Sequence, residues 1–280
     1  EMSDSGGDGL RASGTYFPAN FTKDNAFAMI NQYDTTKGIG SFSSNVSIPS
    51  RILSWFGRLN YSLLDRYLLT VTFRADGSSK FTPTNRWGYF PATALGWRIS
   101  EESFMKDTNQ LNNLKLRVSY GEVGNDGIGS NLWSQTWSAT TDKREQGAVN
   151  NDFLSSYSLS KELANRNLKW ETTITRNIGL DFGFFKSRLT GTVDAYWNTT
   201  KDLLMRTSIP GITGFTSTYA NVGQTSNRGV EVALQGVLVE TKDWNVTAGF
   251  NINFNRSKVD KLADNVTGLY GTEWASSSIY

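Results

Sequence analysis

The sequence predicts an all-β fold: antiparallel strands crossing a membrane, with one face in hydrocarbon and the other in water. Three observations point there. Apolar and polar residues alternate strictly in eight separate segments, the period-2 signature of a strand with two unlike faces. The links between segments are short and long by turns. The chain also carries 9 Trp, 11 Tyr and 16 Phe while only 38% of it is hydrophobic, which suits strands with a single greasy side.

Each segment shows the alternation on its own residues. Leu53, Trp55, Leu59, Tyr61 and Leu63 oppose Ser54, Arg58, Asn60 and Ser62 in the first. Tyr67, Leu69, Val71 and Phe73 oppose Thr70, Thr72 and Arg74 in the second. Leu95, Trp97 and Ile99 then oppose Gly96 and Arg98, and Leu114, Leu116, Val118 and Tyr120 oppose Lys115, Arg117 and Ser119. In the fifth, Ile174, Ile178, Leu180, Phe182 and Phe184 oppose Asn177, Asp181 and Gly183. Leu189, Val193, Ala195 and Trp197 oppose Thr190, Thr192, Asp194 and Asn198; Val230, Val232 and Leu234 oppose Glu231 and Gln235. The last is the cleanest, with Trp244, Val246, Ala248, Phe250, Ile252 and Phe254 against Asn245, Thr247, Asn251, Asn253 and Asn255. An Asn-rich face opposite a Phe/Ile/Trp face cannot be a core strand buried on both sides.

The links sort by end. Short ones fall around Leu64 to Arg66, Lys186 to Ser187 and Thr241 to Asp243; long ones run Gly77 to Gly88, Gly124 to Arg166 and Lys201 to Gln224. Residues 101–113 make a medium link on the short side, with a helical turn expected at "EESFMKD". Short periplasmic turns and long outer loops are the transmembrane β-barrel pattern. The expected organisation is an extracellular loop region at 1–50, eight transmembrane strands over 51–256 and an extracellular loop at 257–280. Tyr61, Tyr67, Phe182, Phe184 and Trp244 cluster beside the short turns, as an interfacial aromatic girdle would. A soluble β-sandwich also alternates, but it buries its apolar faces against each other. Arg176 has outward parity and fits either as a snorkelling side chain near the outer interface or as the mark of a bulge.

Composition narrows the chemistry. With no His and no Cys, imidazole acid–base catalysis, the usual nucleophilic triads and most zinc sites are excluded. Asp142, Glu145 and Asp152 offer no recognisable carboxylate pair. No enzyme, cofactor or metal is expected. A net charge of +2 gives no field for nucleic acid. The longest apolar runs, such as Ala26 to Ile30, are too short for a transmembrane helix, and residues 1–25 show no signal-peptide pattern.

Several strings carry a family resemblance. "RLNYSLLDRYLLTVTFRADGSSKF", "NRWGYFPATALGWRISEESF", "LNNLKLRVSYGEVGN", "NLKWETTITRNIGLDFGFFKSRLTGTVDAYWNTTKDLL" and "YANVGQTSNRGVEVALQG" occur in that order between residues 51 and 256. They resemble the SusC/RagA-type TonB-dependent outer-membrane transporters of Bacteroidetes. Asp76-Gly77-Ser78-Ser79-Lys80-Phe81 with Trp87 and Phe90-Pro91, and Lys169-Trp170-Glu171, are the specific combinations. The resemblance implies a barrel of about 22 strands, of which this stretch makes about a third. It also implies a plug domain and a TonB-contacting segment, neither expected within this stretch. A SusD-like surface lipoprotein would be the partner, and import of oligosaccharides or peptides the activity. A passive porin or adhesin on a similar barrel, and a soluble carbohydrate-binding sandwich, are the alternatives.

Two residue sets are candidates for function. Arg58, Arg74, Arg98, Lys115 and Arg117 line the polar face of the first four segments, and Asp181, Asp194 and Glu231 that of the next three. They form adjoining sectors of opposite charge, expected to pair with each other and with the plug. Trp133, Trp137, Phe215 and Tyr219 lie in the long loops beside many amides and hydroxyls. Aromatic faces of this kind are a platform for sugar rings, or pack loop against loop or lid. The sequons at Asn60, Asn198 and Asn245 fall inside strands, and "GGDG" and "GNDGIG" lack the ligand spacing of a calcium or phosphate loop.

Overall fold

The computed structural model describes residues 2–5, 8–13, 41–46, 49–105, 110–139, 148–149, 152–153 and 157–262. Residues Met2–Arg51 form one compact unit, in which strands Asp8–Ser13 and Ser41–Val46 pair antiparallel. The second unit, from Ile52 on, holds the wall, whose first strand begins two residues earlier. Its strands are β1 (Ser50–Leu63), β2 (Tyr67–Ser78), β3 (Trp87–Arg98), β4 (Leu111–Asn125), β5 (Glu171–Phe184), β6 (Leu189–Lys201), β7 (Gln224–Glu240) and β8 (Asn245–Lys261). They follow one another across one sheet in chain order, each antiparallel to the last. Among the described residues no ladder joins β8 back to β1, so the wall is open.

Register turns alternation into two continuous faces, because a cross-strand partner always shares the side of its residue. On β7 and β8, Val230, Val232 and Leu234 pair with Phe254, Ile252 and Phe250, while Glu231 and Ala233 pair with Asn253 and Asn251. On β2 and β3, Tyr67, Leu69 and Phe73 pair with Trp97, Leu95 and Pro91, while Thr70 and Thr72 pair with Ala94 and Ala92. A sandwich would cover the apolar side with a second layer. Instead Phe250 is 58% exposed and Phe254 64%. The greasy side faces outward and, among the described residues, nothing covers it.

The strands exceed the roughly 9–11 residues needed to cross the apolar band. β7 and β8 have 17 residues each, and β8 continues to Lys261, past the alternating segment. Through Arg176 the β4–β5 register runs without a slip; its one shift lies at Gly183/Phe184. The bulge explanation for Arg176 therefore falls, and the side chain faces outward.

At one end the turns are tight. Leu64 and Asp65 both take φ of 53°, the left-handed pair of a type I′ hairpin, whose twist matches that of the strands it joins. Phe185, Lys186 and Ser187 repeat this between β5 and β6. The β3–β4 link carries two 3₁₀ turns, Ile99–Glu101 and Ser103–Met105, where the helical turn was expected. At the other end the long loops fold on themselves. Leu204–Ser208 and Glu162–Leu163 flank Ser217–Asn221 in a small sheet, beside a buried cluster of Phe81, Phe90, Ile128, Leu168 and Trp170.

Candidate functional site

The inner, polar face carries one ion bridge spanning three strands. Arg117 on β4 stands opposite Gly179 on β5, which in turn stands opposite Asp194 on β6. Glycine leaves nothing in the way. The Arg117 guanidinium passes over it to donate to Asp194 Oδ2 at 3.0 Å, and donates to Asp181 Oδ1 at 2.8 Å. A Cβ on residue 179 would lie 2.4 Å from Asp194 Oδ1 and 2.6 Å from Arg117 Nη2. The two sectors of opposite charge thus meet at Arg117.

The other inner-face charges are placed one by one. Arg58 Nε donates to Thr72 Oγ1 at 3.3 Å. Arg74 pairs with Asp76 at 2.7 Å and reaches Ser54 Oγ at 3.3 Å. Arg98 Nη1 donates to the Asp65 carbonyl at 3.4 Å. Lys115 stands in register with Asp181, and Glu231, exposed to the inner side, with Asp194. Phe56, 72% exposed on this wet face opposite Arg74, breaks the alternation and was missed by it.

The two sequence motifs meet at the long-loop end. Ser78 Oγ donates to Asp126 at 2.7 Å, and Lys80 Nζ lies 3.7 Å from the same carboxylate. The Phe81 ring packs 5.4 Å from that of Trp170, and Phe90 meets Trp170 edge-on at 5.5 Å. Trp170 Nε1 donates to the Arg86 carbonyl at 2.9 Å. Its neighbours close the knot: Lys169 pairs with Asp202 at 2.9 Å, and Glu171 accepts from the Leu204 amide at 3.0 Å. Gly88 and Gly124 make room for the Phe90 ring, whose atoms lie 2.4 and 2.0 Å from where their Cβ atoms would be. Within "GNDGIG", Asp126 is engaged in the knot by Ser78 and Lys80.

The loop aromatics separate. Tyr219 packs against the knot, and its carbonyl accepts from Asn165 Nδ2 at 2.8 Å. Trp133 and Phe215 are half-buried, and among the described residues Trp133 Nε1 is buried without a partner. Trp137 is 65% exposed on strand Trp137–Ala139, which pairs with Tyr157–Leu159. That ladder places Tyr157 and Leu159, both exposed, on the face of Trp137. Sequence reasoning missed Tyr157, although its Tyr-Ser-Leu alternation was there to read. Among the described residues no ring contact joins Trp133, Trp137, Phe215 and Tyr219. Asp142, Glu145 and residues 263–280 lie outside the described residues.

At the short-turn end Glu102 gathers three donors. Tyr67 Oη donates at 2.6 Å, Trp97 Nε1 at 3.0 Å and Arg66 Nη1 at 3.1 Å. The tyrosine hydroxyl, then the indole, and behind them the Arg66 charge hold the carboxyl below its ordinary pKa, outweighing the opposing effect of burial. Tyr67, from the expected girdle, and Trp97 on the neighbouring strand thus turn their polar tips to a carboxylate of the chain.

A run of antiparallel strands with a lipid-ready side and a wet, ion-bridged side is a wall of an outer-membrane β-barrel. The chain belongs to the family described as TonB dependent receptor-like, beta-barrel, which matches residues 3–276. It is 44% identical over 213 residues to the TonB-dependent receptor SusC of Bacteroides thetaiotaomicron, covering 75% of this chain and 21% of that protein. Among solved structures it is similar to the RagAB peptide transporter, with a TM-score of 0.76 and 31% identity over 88% of this chain and 26% of that one. The RagAB peptide importer in its 'open-open' state gives a TM-score of 0.82 at 30% identity, over 98% and 28%. The chain spans about a fifth of the curated relative's length. Membership in this outer-membrane family, together with the uncovered apolar side, sets aside the soluble sandwich.

Proposed function

We propose that this segment forms part of the wall of a TonB-dependent importer, taking up oligosaccharides or peptides with a SusD-like lipoprotein over its outer mouth. The observation that carries the reading is the inner face: polar rows kept in register across the strands and braced by Arg117, suited to a hydrated passage. Likeness to a receptor named SusC and to a peptide transporter supports the activity and leaves open which cargo class is carried. In this reading the long loops face the exterior and the short turns the periplasm. Arg58, Arg74, Arg98, Lys115 and Glu231 face the plug or the passing cargo, while Arg117, Asp181 and Asp194 hold the wall. Trp137, with Tyr157 beside it, is the aromatic face open to cargo or lid; Trp133 and Phe215 are half-buried apart from it, and Tyr219 belongs to the knot.

The test uses the full-length protein in its own cells. Uptake of a panel of labelled oligosaccharides and peptides is measured with TonB present or deleted, and with the SusD-like partner present or deleted. Accumulation of at least one cargo should collapse in both deletions, and Trp137→Ala should lower capture of that cargo. Uptake that persists without TonB would make the barrel a passive porin instead.

A further inference from the structure

Beyond transport, the outward face carries a charged row with no place in a purely apolar belt. Following the register from β4 to β8, Tyr120 stands opposite Arg176, Trp197 opposite Arg228, and Arg228 opposite Arg256. The β5–β6 register is the same on either side of Arg176 and Trp197, so the row is continuous. All five share the side of Val118, Ile178, Ala195, Val230 and Phe254, the outward one.

The row marks the upper edge of the apolar band. From the short turn, the outward side chains of β5 are Phe184, Phe182, Leu180 and Ile178, and the next is Arg176. That is roughly 26 Å of strand at about 3.3 Å per residue, or about 20 Å of depth at a tilt near 40°. On β7 and β8 the row continues to Arg228 and Arg256, which stand higher, about 30 Å of depth from the β7–β8 turn on the same measure, past the outward apolar side chains of both strands. Arginine on a lipid-facing position is costly at the midplane and nearly free at the interface, and Trp197 and Tyr120 are interfacial residues.

Arg176 has Thr199 Oγ1 at 3.4 Å, and the nearby Glu122 accepts from Tyr120. Asp260 is held by Ser226 at 3.0 Å and by Lys258 at 3.8 Å. Among the described residues Arg228 and Arg256 have no carboxylate, yet they are direct cross-strand partners. Like charges placed so repel each other. A shallow, open depression of about 620 Å³ lies along them, lined by Trp197, Arg228, Val230, Phe254 and Arg256, with Tyr196 and Asn255 of the opposite parity at its edge. Apolar below and cationic above, it fits the junction of an acyl chain with a phosphate.

We propose that Arg228 and Arg256, with Arg176 and Trp197 beside them, bind a phosphate-bearing glycolipid headgroup in the leaflet at the long-loop end. In the orientation proposed above that is the outer leaflet; the transport reading itself is not needed.

Full-length transporter in mild detergent is titrated with bis-phosphorylated lipid A, dephosphorylated lipid A and inorganic phosphate, read by native mass spectrometry. The phosphorylated lipid should bind about tenfold or more tightly than its dephosphorylated form, and inorganic phosphate should not displace it. Arg228→Gln with Arg256→Gln should erase the preference, while Arg228→Lys with Arg256→Lys keeps most of it. Equal binding of the two lipids by the unaltered protein, or a preference that survives the glutamines, overturns the proposal. So does a protein bound to this face in place of lipid. Should the double variant fail to assemble, the unaltered protein's lipid preference and Arg256→Gln alone decide. TonB-dependent uptake can stand whichever way this falls.

Discussion

Arg117 and the Arg228–Arg256 pair are cations on the same sheet with opposite surroundings. Arg117 faces inward across a glycine, and its guanidinium reaches carboxylates on two further strands. Arg228 faces outward between Trp197 and Arg256, and among the described residues no acid pairs with it. A strand position fixes only the side on which a charge emerges. The residues in register with it on the neighbouring strands decide whether that charge is spent within the wall or left for something outside it.

Removing the charges should separate the two. Arg117→Gln leaves Asp181 and Asp194 close together without their cation, beside Glu231. The side chain is 34% exposed, so lumen water screens part of the loss, and about 1–2 kcal/mol of stability should go. Arg228→Gln removes a repulsion and should change stability by no more than about 0.5 kcal/mol. Urea unfolding of the full-length protein, followed by loss of heat-modifiable gel mobility, measures both. Equal destabilisation by the two would break the distinction.

The glycine gives a finer test. Gly179→Ala should displace the ends of Arg117 and Asp194 and cost about 1 kcal/mol in the unaltered wall. In the Arg117→Gln background there is no bridge left to displace, and the cost should vanish or reverse, since alanine orders the unfolded chain better than glycine. An alanine equally costly in both backgrounds would mean that Gly179 serves the backbone rather than the bridge.

Much of this was legible in the sequence and some of it could not be. The two faces were readable because alternation has a fixed period and each strand repeats it. The inner charges Arg58, Arg74, Lys115, Asp181 and Glu231 followed from that parity. The bridge did not, because Gly179 acquires meaning only once β4, β5 and β6 are aligned. Arg228 and Arg256 fell just past the apolar runs from which those segments were recognised, so the row joining them to Arg176 was invisible. Asp76 to Phe81 and Lys169 to Glu171 were recognisable as strings, whereas their packing joins residues as far apart as Thr82 and Arg166. The loop aromatics have no period to read. Only pairing showed Tyr157 beside Trp137 and Tyr219 turned into the knot.

Glu102 completes the comparison from the other edge of the wall, as an anion whose donors all come from the chain itself. Its pKa is lowered from 4.5 when folded, first by the Tyr67 hydroxyl and the Trp97 indole and then by Arg66. A carboxyl depressed in this way adds stability that is fully present above its unfolded pKa and is lost as pH falls through the folded value. Acid should therefore loosen the short-turn end. Thermal melting of the full-length protein from pH 7 to pH 3, beside Glu102→Gln, reads this out. The unaltered protein should lose stability below about pH 4.5 more steeply than the glutamine variant, which lacks the titrating group and keeps the acceptor oxygen. Parallel curves would mean that the three donors place Glu102 without drawing stability from its charge.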